Sequence, residues 1–125
     1  VEVEMAREDR LRTERNVWLA TARPDGRPHL TPIWFVWHRS CFWICTGAAA
    51  VKTRNVRATP TVVLALEDGN DPIVAEGTVT VHERPYPDDV VDAFGAKFGW
   101  DIRRTDDVDG PFDALWEIAV DRWVM

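Results

Sequence analysis

The sequence predicts a mainly β domain with short helices (α+β), built from six antiparallel strands that close into a small barrel. Three observations carry this. From Ile73 to Glu83 one set of residues is Ile73, Ala75, Gly77, Val79 and Val81, and the other is Val74, Glu76, Thr78, Thr80 and His82; this is a strand with one apolar face. Thr61-Val62-Val63-Leu64-Ala65-Leu66 is almost continuously apolar, as a central strand is. Arg23-Pro24-Asp25-Gly26-Arg27-Pro28 carries the chemistry of a hairpin turn, with strand-like runs on both sides. Antiparallel hairpins joined this way close most easily into a barrel.

The bulk properties narrow the function. The chain has 125 residues, one domain's length and enough for a real core. Apolar residues make up 46%, with seven Trp, which suit both a packed core and flat ligand sites. A net charge of −6 argues against a general nucleic-acid binder, which needs a basic footprint. No apolar run approaches 18 residues and no signal-peptide core is present, so no membrane span is expected. Cys41 and Cys45 are the only cysteines. On one extended strand they stand roughly 13 Å apart, too far for a disulfide, so two free thiols and a cytoplasmic location are expected. His29, His38 and His82 are scattered, with no metal-ligand spacing.

In chain order, residues 1–15 are charged and read as an exposed helical or flexible segment, with a helix from about Glu4 to Asn16 and Glu8 and Arg12 as an i,i+4 pair. The barrel domain then runs from 16 to 125. Val17 to Ala22 is the first strand and His29 to Trp37 the second. Pro32 interrupts the second, so it belongs at an edge or a bulge and leaves backbone groups free. Cys41 to Cys45 is the third strand, Thr61 to Leu66 the fourth and Ile73 to Glu83 the fifth. Gly77 within the fifth marks a bulge or a close backbone approach. A helix starts after Pro87 with Asp88 and Asp89 in its first turn, and Gly99 can close it. Trp100 to Gly110 is a charged loop, and Asp113 to Met125 the sixth strand.

The stretch richest in chemistry lies between the third and fourth strands. Thr46-Gly47-Ala48-Ala49-Ala50 makes a small-residue turn, and Val51 to Arg57 a short helix with the cations Lys52, Arg54 and Arg57. A helix start offers unpaired N–H groups and a positive dipole end, and so suits a phosphate; Lys52 and Arg54 would add charge-assisted hydrogen bonds. The plainer reading is a solvated basic turn on a surface helix.

These segments together resemble the pyridoxamine 5′-phosphate oxidase-like family. The hairpin Leu19-Ala20-Thr21-Ala22-Arg23-Pro24-Asp25-Gly26-Arg27-Pro28-His29 and the following Pro32-Ile33-Trp34-Phe35 look like the family's opening strands. Lys52-Thr53-Arg54-Asn55-Val56-Arg57-Ala58-Thr59-Pro60 resembles its K-x-R-N-L-R-x-x-P signature, and Val74-Ala75-Glu76-Gly77-Thr78-Val79-Thr80-Val81 its E-G-x-x-x-V strand. The likeness covers roughly Asn16 to Glu83, with a looser echo from Trp116 to Trp123. Each piece is weak alone; four in order with compatible spacing are specific.

The resemblance implies a split β-barrel homodimer with a flavin or deazaflavin at the subunit interface. The K-x-R-N version is most similar to reductases that use the deazaflavin coenzyme F-420, acting on small conjugated molecules. By that likeness Lys52, Thr53, Arg54 and Asn55 would hold the cofactor phosphate, and Thr46 would add a hydroxyl. His29, Thr31, Pro32, Ile33 and Trp34 would run past the ring system. FMN, in a flavin reductase or oxidase, is the alternative cofactor. A third reading is a carrier of a flavin-type or haem-type ligand without turnover. Two departures stand out: Ala50 and Val51 occupy places where related sequences often have a basic residue, and the substrate-phosphate contacts of true pyridoxamine phosphate oxidases have no counterpart. No side chain is assigned as catalytic, since in such a site the cofactor carries the chemistry, and no metal is expected.

Overall fold

The computed structural model of the chain describes residues 1–104 and 111–125. It contains helix α1 (Glu2–Thr13), strands β1 (Asn16–Ala22), β2 (Pro28–Trp34), β3 (Val36–His38) and β4 (Cys41–Thr46), and helix α2 (Val51–Ala58). Strands β5 (Thr61–Leu66) and β6 (Val74–His82), helix α3 (Asp88–Phe98) and strand β7 (Ala114–Trp123) complete it. All seven strands form one antiparallel sheet in the order β2-β1-β5-β6-β7-β4-β3. The sheet is curled into a split barrel, as the fold class expected from the sequence requires.

The strand count needs correcting from six to seven. The run expected as one strand from His29 to Trp37 is two, and they lie at opposite edges of the sheet. Phe35 is the joint: its side chain is fully buried and its N–H donates to the Arg15 carbonyl at 3.2 Å, outside either ladder. The chain thus crosses the split of the barrel in a single residue. Pro32 sits on the edge strand β2, where its missing N–H leaves no ladder bond unmade. Gly77 lies at a register shift between β6 and β7; a Cβ there would meet Ile118 Cγ2 at 2.7 Å and the Ala119 carbonyl at 2.8 Å. It is therefore both the bulge and the close approach that its place in the sequence suggested.

Two apolar cores result. One fills the barrel, with Val17, Leu19, Phe42, Ile44, Leu64 and Trp116 among its members. The other lies between β4, β7 and α3 and contains Trp43, Cys45, Tyr86, Val90, Phe94 and Leu115. Helix α3 starts after Pro87, and Gly99 closes it in the left-handed conformation at φ 65°. The N-terminal helix is more firmly held than its composition suggests. Leu11 is fully buried, Trp37 Nε1 donates to Glu8 at 2.9 Å and Arg7 lies 4.3 Å over the ring of Trp123. The Glu8–Arg12 pair forms at 3.4 Å. Both cysteines are free thiols. Among the described residues no helix is long and apolar enough to cross a membrane. The end of the expected charged loop, at 105–110, lies outside the described residues.

Candidate functional site

The site is built where α2 lies against the β1–β2 hairpin. Its turn is fixed from below. The Ala48 N–H donates to Asp113 Oδ1 at 2.7 Å, and a Cβ on Gly47 would come within 3.2 Å of the Pro111 carbonyl. Thr53 is fully buried and its hydroxyl donates to the Gly47 carbonyl at 2.7 Å, locking the helix onto its own turn. Asn55 is also buried, and its Nδ2 donates to Thr21 Oγ1 on β1 at 3.0 Å. The two polar residues of the motif nearest the barrel thus hold the helix in place. The Thr53 hydroxyl and one of the two Asn55 amide N–H groups are used inside the protein.

The start of α2 has the opposite character. Ala50 is the N-cap and supplies no side-chain hydrogen bond, and the first turn contains no acidic residue. It contains Lys52 instead, with Arg54 close behind. Cations at this end oppose the helix dipole and weaken an isolated helix. Lys52 is half-buried, and among the described residues nothing pairs with it; loss of hydration pushes its ammonium below the ordinary lysine range. Arg54 is exposed. With Val51 and Asn55 it borders a cleft of about 420 Å³, closed on the other side by Arg23, Pro24, Asp25 and Arg27 of the hairpin turn.

Strand β2 divides the remaining candidates between its faces. His29, Thr31 and Ile33 pair with Thr21, Leu19 and Val17, which are buried. Pro32 and Trp34 pair with Trp18 and Asn16 and face outwards. Trp34 is 41% exposed and stacks on Phe98 at 4.4 Å, away from His29 and Thr31. Thr46 ends β4, buried, just before the turn. Four buried side-chain polar atoms among the described residues lack a hydrogen-bond partner, and two of them, His29 Nδ1 and Thr31 Oγ1, are on this inner face of β2. Such atoms are costly unless something completes them.

The structure thus groups His29 and Thr31 beside Thr21, with Asn55 bridging from α2, and places Lys52 and Arg54 on the same helix. Three residues of this region escape sequence reading. Thr21 is legible only as a strand threonine until its bond to Asn55 is seen. Arg23 and Arg27 had a signal, two cations flanking Asp25-Gly26, but Arg27 also pairs with Asp25 at 2.8 Å, as ordinary turn residues do. The chemical set suits an anion bound to a larger, partly polar group. Uncapped N–H groups and an unpaired ammonium fit a phosphate, and two orphaned atoms fit further hydrogen bonds.

Among solved structures the chain is similar to a conserved hypothetical protein, Rv2991, from Mycobacterium tuberculosis, at 28% identity and a TM-score of 0.74, covering 98% of this chain and 82% of that one. An F420 reductase matches at 20% identity and a TM-score of 0.70, over 93% of this chain and 94% of its own. HutZ, a heme storage protein from Vibrio cholerae, matches at 20% identity and a TM-score of 0.74, over 97% and 91%. The last two show a shared fold alone. No curated protein matches the sequence at a significant level. Residues 4–125 match the pyridoxamine 5′-phosphate oxidase family, and the chain belongs to it.

Proposed function

We propose that the protein is an oxidoreductase that works with a deazaflavin of the coenzyme F-420 type and reduces small conjugated molecules. The observation that carries this reading is Lys52: a half-buried ammonium without a partner among the described residues, at a helix start that no side chain caps. A fold keeps an arrangement this unfavourable when a ligand resolves it. Lys52, Arg54 and the first N–H groups of α2 would take the cofactor phosphate. His29 and Thr31 would hydrogen-bond polar atoms of the ring system. Thr53 and Asn55 act through position, by fixing α2 against its turn and against β1. When bound, a deazaflavin supplies hydride transfer; the protein's part is to hold, orient and shield it. The K-x-R-N pattern of Lys52, Arg54 and Asn55 supports this choice; the fold itself is shared by an F420 reductase and a heme storage protein alike.

We further propose a homodimer. Trp18, Leu30, Trp34 and Val63 are exposed, and the register places them with Pro32 and Ala20 on the outer face of β2, β1 and β5. An apolar face of this kind, next to β2, suits a second copy of the same face related by a two-fold axis.

Titration of the apo protein with F-420, FMN and haem, followed by fluorescence and absorbance, tests the reading. The expected order is F-420 tightest. Equal or tighter FMN binding would make the protein a flavin enzyme, and haem alone binding would make it a haem carrier.

A further inference from the structure

The sequence contains 13 arginines but only two lysines, Lys52 and Lys97. Lys97 lies on the last turn of α3, outside the site described above. Its Nζ stands 4.0 Å from the centroid of the Phe35 ring and 5.6 Å from that of Phe98. Among the described residues its one hydrogen bond is a long one, 3.4 Å to the Leu11 carbonyl of α1. Among the described residues no carboxylate lies within ion-pair distance of it. Glu14, at the C-cap of α1, is its acidic neighbour, and Arg15 a second cation that lies over Phe98 at 4.9 Å. Lys97 borders a cleft of about 340 Å³ between α1, β3 and α3, lined also by Arg12, Val36, Trp37, Ala93 and Ala96. Arg12 is held only loosely, by Glu8 at 3.4 Å.

A desolvated amine beside another cation, with no carboxylate paired to it among the described residues, is the environment that activates lysine as a nucleophile. We propose that Lys97 is a modification site whose ε-amine takes the acyl group of small acyl phosphates. The cleft admits a small acyl donor, and the Arg12 guanidinium at its rim suits the phosphate. In the reaction the nitrogen lone pair forms a bond to the carbonyl carbon. The bond from that carbon to the phosphate oxygen breaks, and phosphate leaves with the electron pair. The proton lost from nitrogen passes to water or to the leaving phosphate, and the product is an amide. Loss of hydration, reinforced by Arg15 and opposed by Glu14, brings the ammonium down to about 8. At pH 7 about a tenth of such an amine is neutral, against roughly one part in 2,500 of an ordinary lysine. Acylation removes a charge that the fold holds at a cost, so the folded state tolerates the product.

The test is acetyl phosphate added to the folded full chain, with peptide mapping by mass spectrometry over time. The expected result is acetyl on Lys97 severalfold ahead of Lys52. The rate should rise with pH and level off above about pH 8. In urea the preference should vanish, because the environment that creates it is gone. Lys97→Arg should lose the fast acetylation while Lys52 reacts as before; if that variant does not fold, the ratio in the wild-type chain decides alone. Equal rates at the two lysines in the folded protein, or Lys52 ahead, would overturn the proposal.

Discussion

Asn55 Nδ2 donates to Thr21 Oγ1 at 3.0 Å, and both residues are buried. This single bond ties helix α2 to strand β1 across 34 positions of sequence. It connects α2 to the β1–β2 hairpin beside the inner face of β2. Asn55 is thus a motif residue whose side chain serves the frame of the site.

Replacing Asn55 by Ala leaves the Thr21 hydroxyl buried without its partner. A loss of about 1–3 kcal/mol is expected, a fall in melting temperature of roughly 3–10 °C. Cofactor affinity should fall with it, because α2 loses its anchor. Differential scanning calorimetry and cofactor titration of Asn55→Ala check both, and an unchanged melting temperature would show the bond to be idle.

Gly77→Ala should destabilise without touching the site. Its new Cβ would stand 2.7 Å from Ile118 Cγ2 and 2.8 Å from the Ala119 carbonyl, and a backbone oxygen gives way poorly. About 1–3 kcal/mol is expected for such overpacking. Urea unfolding measures it, and a midpoint equal to wild type would mean that β6 and β7 separate freely at the bulge.

Lys97 sets a pH dependence of stability. Its folded value, about 8, is below the ordinary lysine value of 10.5, so between those limits the unfolded chain binds more protons. Stability contributed through this group therefore rises as pH increases from about 8 towards 10.5. Lys97→Met should remove that rise and, at pH 7, should not lower the melting temperature. Melting curves of both proteins at pH 7 and pH 9.5 test the sign; a larger alkaline gain in the variant than in wild type would contradict it.

The outer face of β2, β1 and β5 should mediate self-association. Light scattering at micromolar concentration should give about twice 14.3 kDa, and Leu30→Glu should shift the mass towards that of one chain. A wild-type mass near 14.3 kDa rules out the homodimer.

Most of the framework was legible because it rests on local chemistry. The alternation of β6, the turn at Asp25-Gly26, the stop at Gly99 and the bulge at Gly77 each follow from neighbours in sequence. What escaped depended on partners far along the chain. The run from His29 to Trp37 reads as one strand because its residues are uniformly strand-like; only burial of Phe35 and its bond to Arg15 split it between two sheet edges. Residues 1–15 read as loose because Leu11 and Met5 are nearly their only large apolar groups, yet α1 is held by the burial of Leu11 and by Trp37 and Trp123. At the site, Lys52, Arg54 and the helix start were visible as a motif. The inward turn of Thr53 and Asn55, and the facing arginines Arg23 and Arg27, required the packing of α2 on the hairpin.

The central claim is that Lys52 holds the phosphate of a deazaflavin at the start of α2. The direct measurement is the affinity of Lys52→Ala for F-420, set beside its melting temperature. Loss of one charge-assisted contact is worth about 1.5–3 kcal/mol, so affinity should fall roughly ten- to hundred-fold. The apo protein should melt within a few degrees of wild type, because among the described residues the ammonium has no partner to lose. Raising salt should weaken binding in wild type more than in the variant. An affinity within a factor of about two of wild type across that salt range, or a collapse of the apo fold, would contradict the account.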